Sequence, residues 1–331
     1  MQQTSIKIEQ FSYMRIIACF AIILLHSLFA STVYHGDLMT AFDVKFERVF
    51  EHLLMWAVPL FLMISGALLL EPEKEIPIKK LYTKYIGRLL AALVVFTLIF
   101  QIFDYFMEDA DGILLEWVRD LFLGQSWAHM WYLYMMIGLY IMLPMYKKII
   151  TADDRFIMYV IIVLAVFTSI VPMIGSFGFD LAFGIPTATV YPLYMFLGYY
   201  FKHKSLSLKT SVGLLAIGTI VIAATSCFGT SEWLLAFSKY NSFFVIIQTV
   251  GIFGLLYRIN FKENRFIESL NQCTFGIYMI HMIGIRAVMK WLEIDPYQYG
   301  PLFFILFGII LFFVSYLIVY IMRKIPKINF L

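Results

Sequence analysis

Two histidines and an arginine stand in stretches otherwise apolar enough for lipid, and their spacing sets the chemistry to be considered. In Phe11–Ser27, FSYMRIIACFAIILLHS, Arg15 and His26 are eleven residues apart. At about 100° per residue they return to almost the same helix face, roughly 16 Å apart along the axis. An imidazole changes its charge near neutral pH and can take up or pass on a proton. A guanidinium at the membrane edge can hold an anionic group, or can simply set topology. In QCTFGIYMIHMIGIR, Tyr278 and His281 stand at i and i+3 on one face. Ionisable side chains inside a span are expensive, so two histidines at intermediate depth point to a polar passage or catalytic centre. Hydrogen-bonded packing is the competing reading for each.

The elements that must position these groups are membrane spans. The chain has 331 residues, 62% hydrophobic and only 14% charged, with a mean hydropathy of +0.83. That leaves too little polar surface to cover a soluble globule. Apolar runs long enough to cross a bilayer lie near 13–34, 49–70, 86–107, 130–147, 156–174, 188–201, 208–227, 240–258, 273–292 and 301–322. The pattern predicts an all-α polytopic integral membrane protein of about ten transmembrane helices, a single membrane domain over 1–331. The 188–201 run is the weakest, being short and holding Pro192.

Alternating the connecting segments between two sides gathers about 19 of the 25 lysines and arginines on one side, from Lys7 and Arg15 to Arg323, Lys324 and Lys327. Lys45, Arg48, Arg119, Lys239, Arg286 and Lys290 are left opposite or within spans. Both termini are therefore expected in the cytoplasm, with the chain in the cell (inner) membrane. The longest opposite loop is acidic, with Glu108, Asp109, Asp111, Glu116 and Asp120. The first apolar run is longer than a signal-peptide core and reads as a retained span.

This orientation puts Arg15 at the cytoplasmic end of the first span and His26 in its middle or outer half. The second span, ending PLFLMISGALLLEPEK, brings Ser65 and Gly66 to the level of Arg15, for close packing or for a ligand. Lys80, Lys84 and Arg88, at i, i+4 and i+8, form a basic stripe where the third span enters. That stripe suits a phosphorylated ligand as well as it suits ordinary positive-inside charge. The fourth span opens SWAHMWYLYMMIGLY, where His129, Trp131 and Tyr132 form an interfacial belt or a binding face. Arg286 and Lys290 lie higher in the ninth span, and Lys290 is placed to snorkel to the outer interface.

Other chemistries are disfavoured. Cys19, Cys227 and Cys273 are odd in number and unclustered, which suits neither a disulfide framework nor zinc. His26, His35, His52, His129, His203 and His281 show no metal-ligand spacing, so no metal is expected. The basic residues follow membrane topology and make no nucleic-acid patch. Nothing in the sequence specifies an oligomeric state.

Four stretches, taken together, resemble the membrane-bound acyltransferase-3 family: the R-x10-H of Arg15 and His26, FLMISGALLL in the second span, HMWYLYMMIGLYIMLP in the fourth and TFGIYMIHM in the ninth. The likeness runs over almost the whole chain. It implies transfer of an acyl group, by preference acetyl, from cytoplasmic acyl-coenzyme A to a hydroxyl of an extracytoplasmic cell-envelope glycan or glycolipid. Acetyl-coenzyme A is then a donor substrate, with no permanently bound cofactor, and lipid, acyl-coenzyme A and the glycan are the partners. Under this reading His26, Arg15 and His281 serve catalysis, and Arg15, Ser65, Gly66, Lys80, Lys84 and Arg88 hold the donor. His129, Trp131, Tyr132 and Tyr278 contact substrate. His281 and Tyr278 orient the thioester or donate to its developing oxyanion. Direct transfer and an acyl-histidine intermediate are both open. Two departures stand out. The third-span entrance has Lys84 and Arg88 four apart where the family often has paired arginines, and the chain ends soon after its last span, so a fused SGNH-type esterase domain is expected to be absent. On the residues alone, an exporter or flippase of a glycan or lipid-linked precursor is the rival class.

Overall fold

The structure is a computed structural model that describes residues 2–107, 112–176, 189–229, 236–262, 264–294 and 300–325, with residues 2–8 and 301–302 as backbone only. Glu108, Asp109, Asp111 and Lys327 lie outside the described residues, and Lys7 falls in the backbone-only stretch. The described residues form helices and no strand. In lipid this is the solution that satisfies every backbone N–H and C=O within one segment.

The helices gather into two compact units, one of Met1–Glu71 and Ala152–Ile318, the other of Pro72–Thr151 and Val319–Leu331. In the first lie α1 (Gln2–His35), α2 (Ala41–Leu53) and α3 (Ala57–Leu69). The second contributes α4 (Gly87–Met107), α5 (Leu114–Leu123) and α6 (Trp131–Ile150). The first unit resumes with α7 (Asp154–Ala165), α8 (Val171–Gly175), α9 (Val190–His203), α10 (Leu208–Phe228), α11 (Phe243–Arg258) and α12 (Arg265–Arg286). The last helix is α13 (Pro301–Met322), whose final turn belongs to the second unit.

Among the described residues eight helical segments are long and apolar enough to cross a membrane. The other two expected runs are helical too, but differ in kind. α9 has only 14 residues, about 21 Å of helix and short of a 30 Å hydrocarbon layer. α12 is long but carries Arg265, Glu268 and Arg286 among its polar residues. The second span also differs from the reading at 49–70. It is two helices, parted at 54–56. Pro59 explains the break, because its ring opposes helical continuation from the residues before it while fitting the first turn of α3. Ahead of the break α2 opens on a reciprocal cap, in which Thr40 Oγ1 accepts from Asp43 N (3.2 Å) and Asp43 Oδ2 accepts from Thr40 N (3.0 Å).

Relative directions in the first unit follow from pairing offsets. α1 and α12 run parallel, because Ser12 meets Asn271, Cys19 meets Thr274, His26 meets His281 and Ser31 meets Met289. α1 and α13 run antiparallel, with Leu24 against Gly308 and Phe20 edge-on to Phe312. α10 and α11 are antiparallel through Gly218 against Phe244 and Gln248, and Gly251 against Leu215. α3 and α9 are parallel. Their C-terminal ends meet, Lys202 Nζ donating to Ala67 O (3.0 Å) and pairing with Glu71, and they cross where Gly66 lies on the backbone of Met195 and Gly198 on that of Met63. The first and ninth of the expected runs are therefore parallel, as are the second and sixth.

Candidate active site

The α1 and α12 pair carries the candidate centre, and a heptad on α1 aims it. Ser12, Cys19 and His26 recur every seven residues, with Arg15 and Ile22 between them, which is the seam that keeps facing a parallel partner. The contacts along it are polar at intervals. Asn271 Nδ2 donates to Ser12 Oγ (3.0 Å), and Cys19 Sγ to Thr274 O (3.5 Å). Below them Gln10 Nε2 donates to Ile259 O (3.1 Å) and Tyr13 stacks on Phe261 at 4.2 Å. These contacts fix the rotation of α1 and hence the direction of His26.

His26 Nδ1 lies 2.7 Å from His281 Nε2, and His281 Nδ1 lies 2.6 Å from Tyr278 O. A carbonyl only accepts, so His281 Nδ1 carries a proton and donates it to Tyr278 O. In a neutral His281, Nε2 is then the acceptor, and His26 Nδ1 is the donor to it. That leaves the basic lone pair of His26 on Nε2. The backbone carbonyl thus fixes both tautomers in turn, as a carboxylate does for the histidine of a hydrolase triad. His281 is fully buried whereas His26 is partly exposed. The rings of His26 and Tyr278 lie 6.5 Å apart. So the basic nitrogen of His26 is Nε2, and His281 lies behind it in the interior.

Ser65 Oγ donates to Phe61 O (2.9 Å) inside its own helix. Gly66 is spent on helix packing, since a Cβ there would stand 1.9 Å from Met195 O. Towards the far end of α1, Thr32 is six residues past His26, roughly 9 Å along the axis. Its Oγ1 donates to Met39 Sδ (3.9 Å), and on α2 Glu47 is buried with Glu51 one turn further on. Nearby in sequence, His52 Nδ1 is 2.7 Å from Ser226 Oγ. The sequence reading overlooked Glu47 and Glu51. Their i, i+4 spacing and the capping box at Thr40 would have disclosed an extra amphipathic helix before the second span.

The remaining candidates belong to the second unit. His129 is buried, with its ring 5.3 Å from that of Phe100 and 6.5 Å from that of Trp127. Trp127 stacks on Phe100 at 4.2 Å and donates from Nε1 to Asp104 Oδ2 (2.8 Å). Trp131 and Tyr132 meet each other edge-on at 6.2 Å and are partly exposed. His129 thus packs with Phe100 and Trp127, the latter tied to Asp104. The basic stripe differs as well. Residues Leu81–Ile86 form a wide turn with i→i+5 hydrogen bonds, so Lys80, Lys84 and Arg88 do not hold regular α-helical spacing. All three are exposed, and Arg88 lies near enough to Arg323 for the two charges to repel. Arg323 comes from the end of the chain, 235 residues on, and no local signal in the sequence joins it to Arg88.

A parallel buried helix pair with a histidine relay, in a bundle of membrane-length helices, can move a proton at a point within the membrane domain. A protein-family profile described as an acyltransferase domain matches residues 8–329. No curated protein and no solved structure gives a significant match.

Proposed function

The chain belongs to the acyltransferase-3 family and is a membrane acyltransferase, and from that premise we propose that it O-acylates an extracytoplasmic cell-envelope glycan or glycolipid with acyl-coenzyme A, acetyl first among donors. The observation that carries this reading is the His26 to His281 to Tyr278 O relay, 2.7 and 2.6 Å long. Coenzyme A is polar and anionic, so its nucleotide stays at the cytoplasmic face while the pantetheine arm reaches inward. Arg15, with Lys80, Lys84, Arg88 and now Arg323, neutralises its phosphates. Ser65 lies along the donor's route, and Tyr278, His129, Trp131 and Tyr132 serve the substrates.

Chemistry then follows at His26 Nε2. It takes the acceptor hydroxyl proton as the oxygen attacks the thioester carbonyl; the new O–acyl bond forms, the C–S bond breaks, and the proton passes from His26 to the departing sulfur. While His26 is an imidazolium, its Nδ1–H still donates to His281 Nε2, so the relay stabilises the charged state without reorganising.

The test is to supply the full chain in lipid nanodiscs with labelled acetyl-coenzyme A and a panel of envelope glycans. Label on a glycan hydroxyl is expected. Donor binding with no labelled product from any acceptor would overturn the assignment, and glycan export in cells without labelling would favour the exporter.

Two further outcomes separate the roles. His281→Leu is expected to lower kcat about a hundredfold with little change in KM, because it removes the acceptor that selects the His26 tautomer. His281→Gln, whose Oε1 can accept from His26 Nδ1–H, is expected to recover at least a tenth of wild-type kcat. Equal losses in the two variants would mean that His281 itself carries the transferred proton. Arg15→Gln is expected to raise the KM for acetyl-coenzyme A by about 10 to 100-fold, the worth of a charge-assisted hydrogen bond or two. A fall in kcat with KM unchanged would take Arg15 out of donor binding.

A further inference from the structure

A cavity of about 180 Å³ opens in the first unit where α7 and α8 meet the approach to α11, lined by Ser169, Pro172, Met173, Ser176, Ala236, Lys239, Asn241 and Ser242. It is far larger than the roughly 10–15 Å³ of probe-occupied volume that one water needs. Its wall is polar for a particular reason. Residues Val166–Ile170 form a wide i→i+5 turn, a distortion that in helices is frequent at functional sites. Thr168 Oγ1 still folds back onto Leu164 O (2.7 Å), the usual way a helical hydroxyl is satisfied in lipid. Ser169 does not. Its side chain is 1% exposed, and its Oγ has no hydrogen-bond partner, although it lines the cavity.

The neighbours add charge and acceptors. Ser176 Oγ donates to Pro172 O (3.1 Å) and keeps its lone pairs for accepting, while Ser242 Oγ donates to Phe237 O and already accepts from Phe244 N (3.2 Å) as the cap of α11, which leaves it one. Asn241 brings an amide. Lys239 is exposed at the rim and has no ion-pair partner among the described residues. A cation, an amide, a buried unmet hydroxyl and further hydroxyls around one small cleft suit a polyhydroxylated anion. An acyl chain or an uncharged aromatic would leave Ser169 unmet and Lys239 unused. In the alternation described above, the end of α8 and the start of α11 fall on the acceptor side, and Lys239 is one of few basic residues there.

We propose that this cleft is an acceptor subsite that holds an anionic sugar or polyol unit of the glycan, a uronate or a polyol phosphate, with Lys239 pairing its charge and Ser169 and Asn241 bonding its hydroxyls. The proposal rests on the reading of an extracytoplasmic glycan acceptor. It narrows that acceptor to acidic polymers.

The full chain in nanodiscs of zwitterionic lipid, without acyl donor, is titrated with oligogalacturonate, oligo(glycerol phosphate) and maltohexaose. At least one of the two anionic oligomers is expected to bind more tightly than maltohexaose. Lys239→Gln is expected to weaken that binding about tenfold and to leave maltohexaose unchanged, and Ser169→Ala to weaken it about three- to tenfold. Binding by neither anionic oligomer, or binding indifferent to Lys239→Gln, overturns the subsite. Complete displacement by phosphatidylglycerol in the nanodisc also overturns it and assigns the cleft to a lipid headgroup. Because binding is read without turnover, Lys239-dependent binding with no acyl transfer would count against the enzymatic reading alone. Transfer to acidic glycans that ignores Lys239 would count against the subsite alone.

Discussion

Replacing His26 by alanine is expected to lower acyl transfer by about 10²- to 10⁴-fold, the range that positioned proton transfer contributes to catalysis. The loss should fall on kcat, because the side chain removed meets the reacting hydroxyl and not the nucleotide of the donor. Folding complicates the comparison in a calculable way. Alanine strands Nε2 of His281, a fully buried acceptor, and an unmet buried polar group costs about 1–3 kcal/mol. Thermal unfolding of the variant must therefore be measured beside its turnover. His26→Gln, which can offer an amide donor towards His281 but cannot take a proton, keeps more of the structure and should be as inactive as alanine. Transfer within threefold of wild type in either variant would remove His26 from the chemistry. The same experiment separates the two chemical routes. With donor but no acceptor, wild-type protein trapped with labelled acyl-histidine would favour the covalent path. Its absence, with transfer appearing only on addition of acceptor, would favour direct general-base attack.

How much of this site was legible beforehand follows from the range of each interaction. Arg15 and His26 could be placed on one face because both sit on one helix, and Tyr278 and His281 for the same reason. The Tyr278 O to His281 bond is local, three residues long. The His26 to His281 bond spans 255 residues of sequence, and no periodicity reports which two helices touch. The heptad Ser12, Cys19, His26 was present in the sequence, but small and polar residues do not read as a seam until Asn271, Thr274 and His281 are seen to answer them. Most spans were legible because hydropathy is summed over twenty residues and tolerates exceptions. α12 was legible for another reason, since its apolar face alone resembles a span while its polar face belongs to the helix pair. The basic stripe misled because it assumed 3.6 residues per turn, and the wide turn over Leu81–Ile86 lacks any proline or glycine to announce it. The packing of His129 and Trp127 could not be read beforehand, because Phe100 and Asp104 reach them from another helix.

Gly66 is the position where a family motif and helix packing make different predictions, and the largest structural effect is expected there. A Cβ on Gly66 would stand 1.9 Å from Met195 O and 2.5 Å from Met195 Cα; one on Gly198 would stand 1.9 Å from Met63 O and 2.6 Å from Met63 Cα. These are backbone atoms, so no rotamer change relieves the clash and the two helices must separate. The cost of Gly66→Ala or Gly198→Ala should reach or exceed the upper end of the roughly 1–3 kcal/mol typical of overpacking. Gly138→Ala and Gly213→Ala are the internal controls. Both are helical, and nothing lies within 4 Å of the added Cβ, so alanine's better helix propensity should leave them neutral or about 0.5–1 kcal/mol more stable. Melting in detergent reads all four. If Gly66 serves only to admit a ligand, Gly66→Ala will lose activity at wild-type stability while Gly198→Ala stays functional. If it serves the α3 to α9 contact, the two variants will fall together. Ser65, one residue from Gly66 and bonded only within its own helix, should then lose its place along with them even though its own side chain touches neither clash.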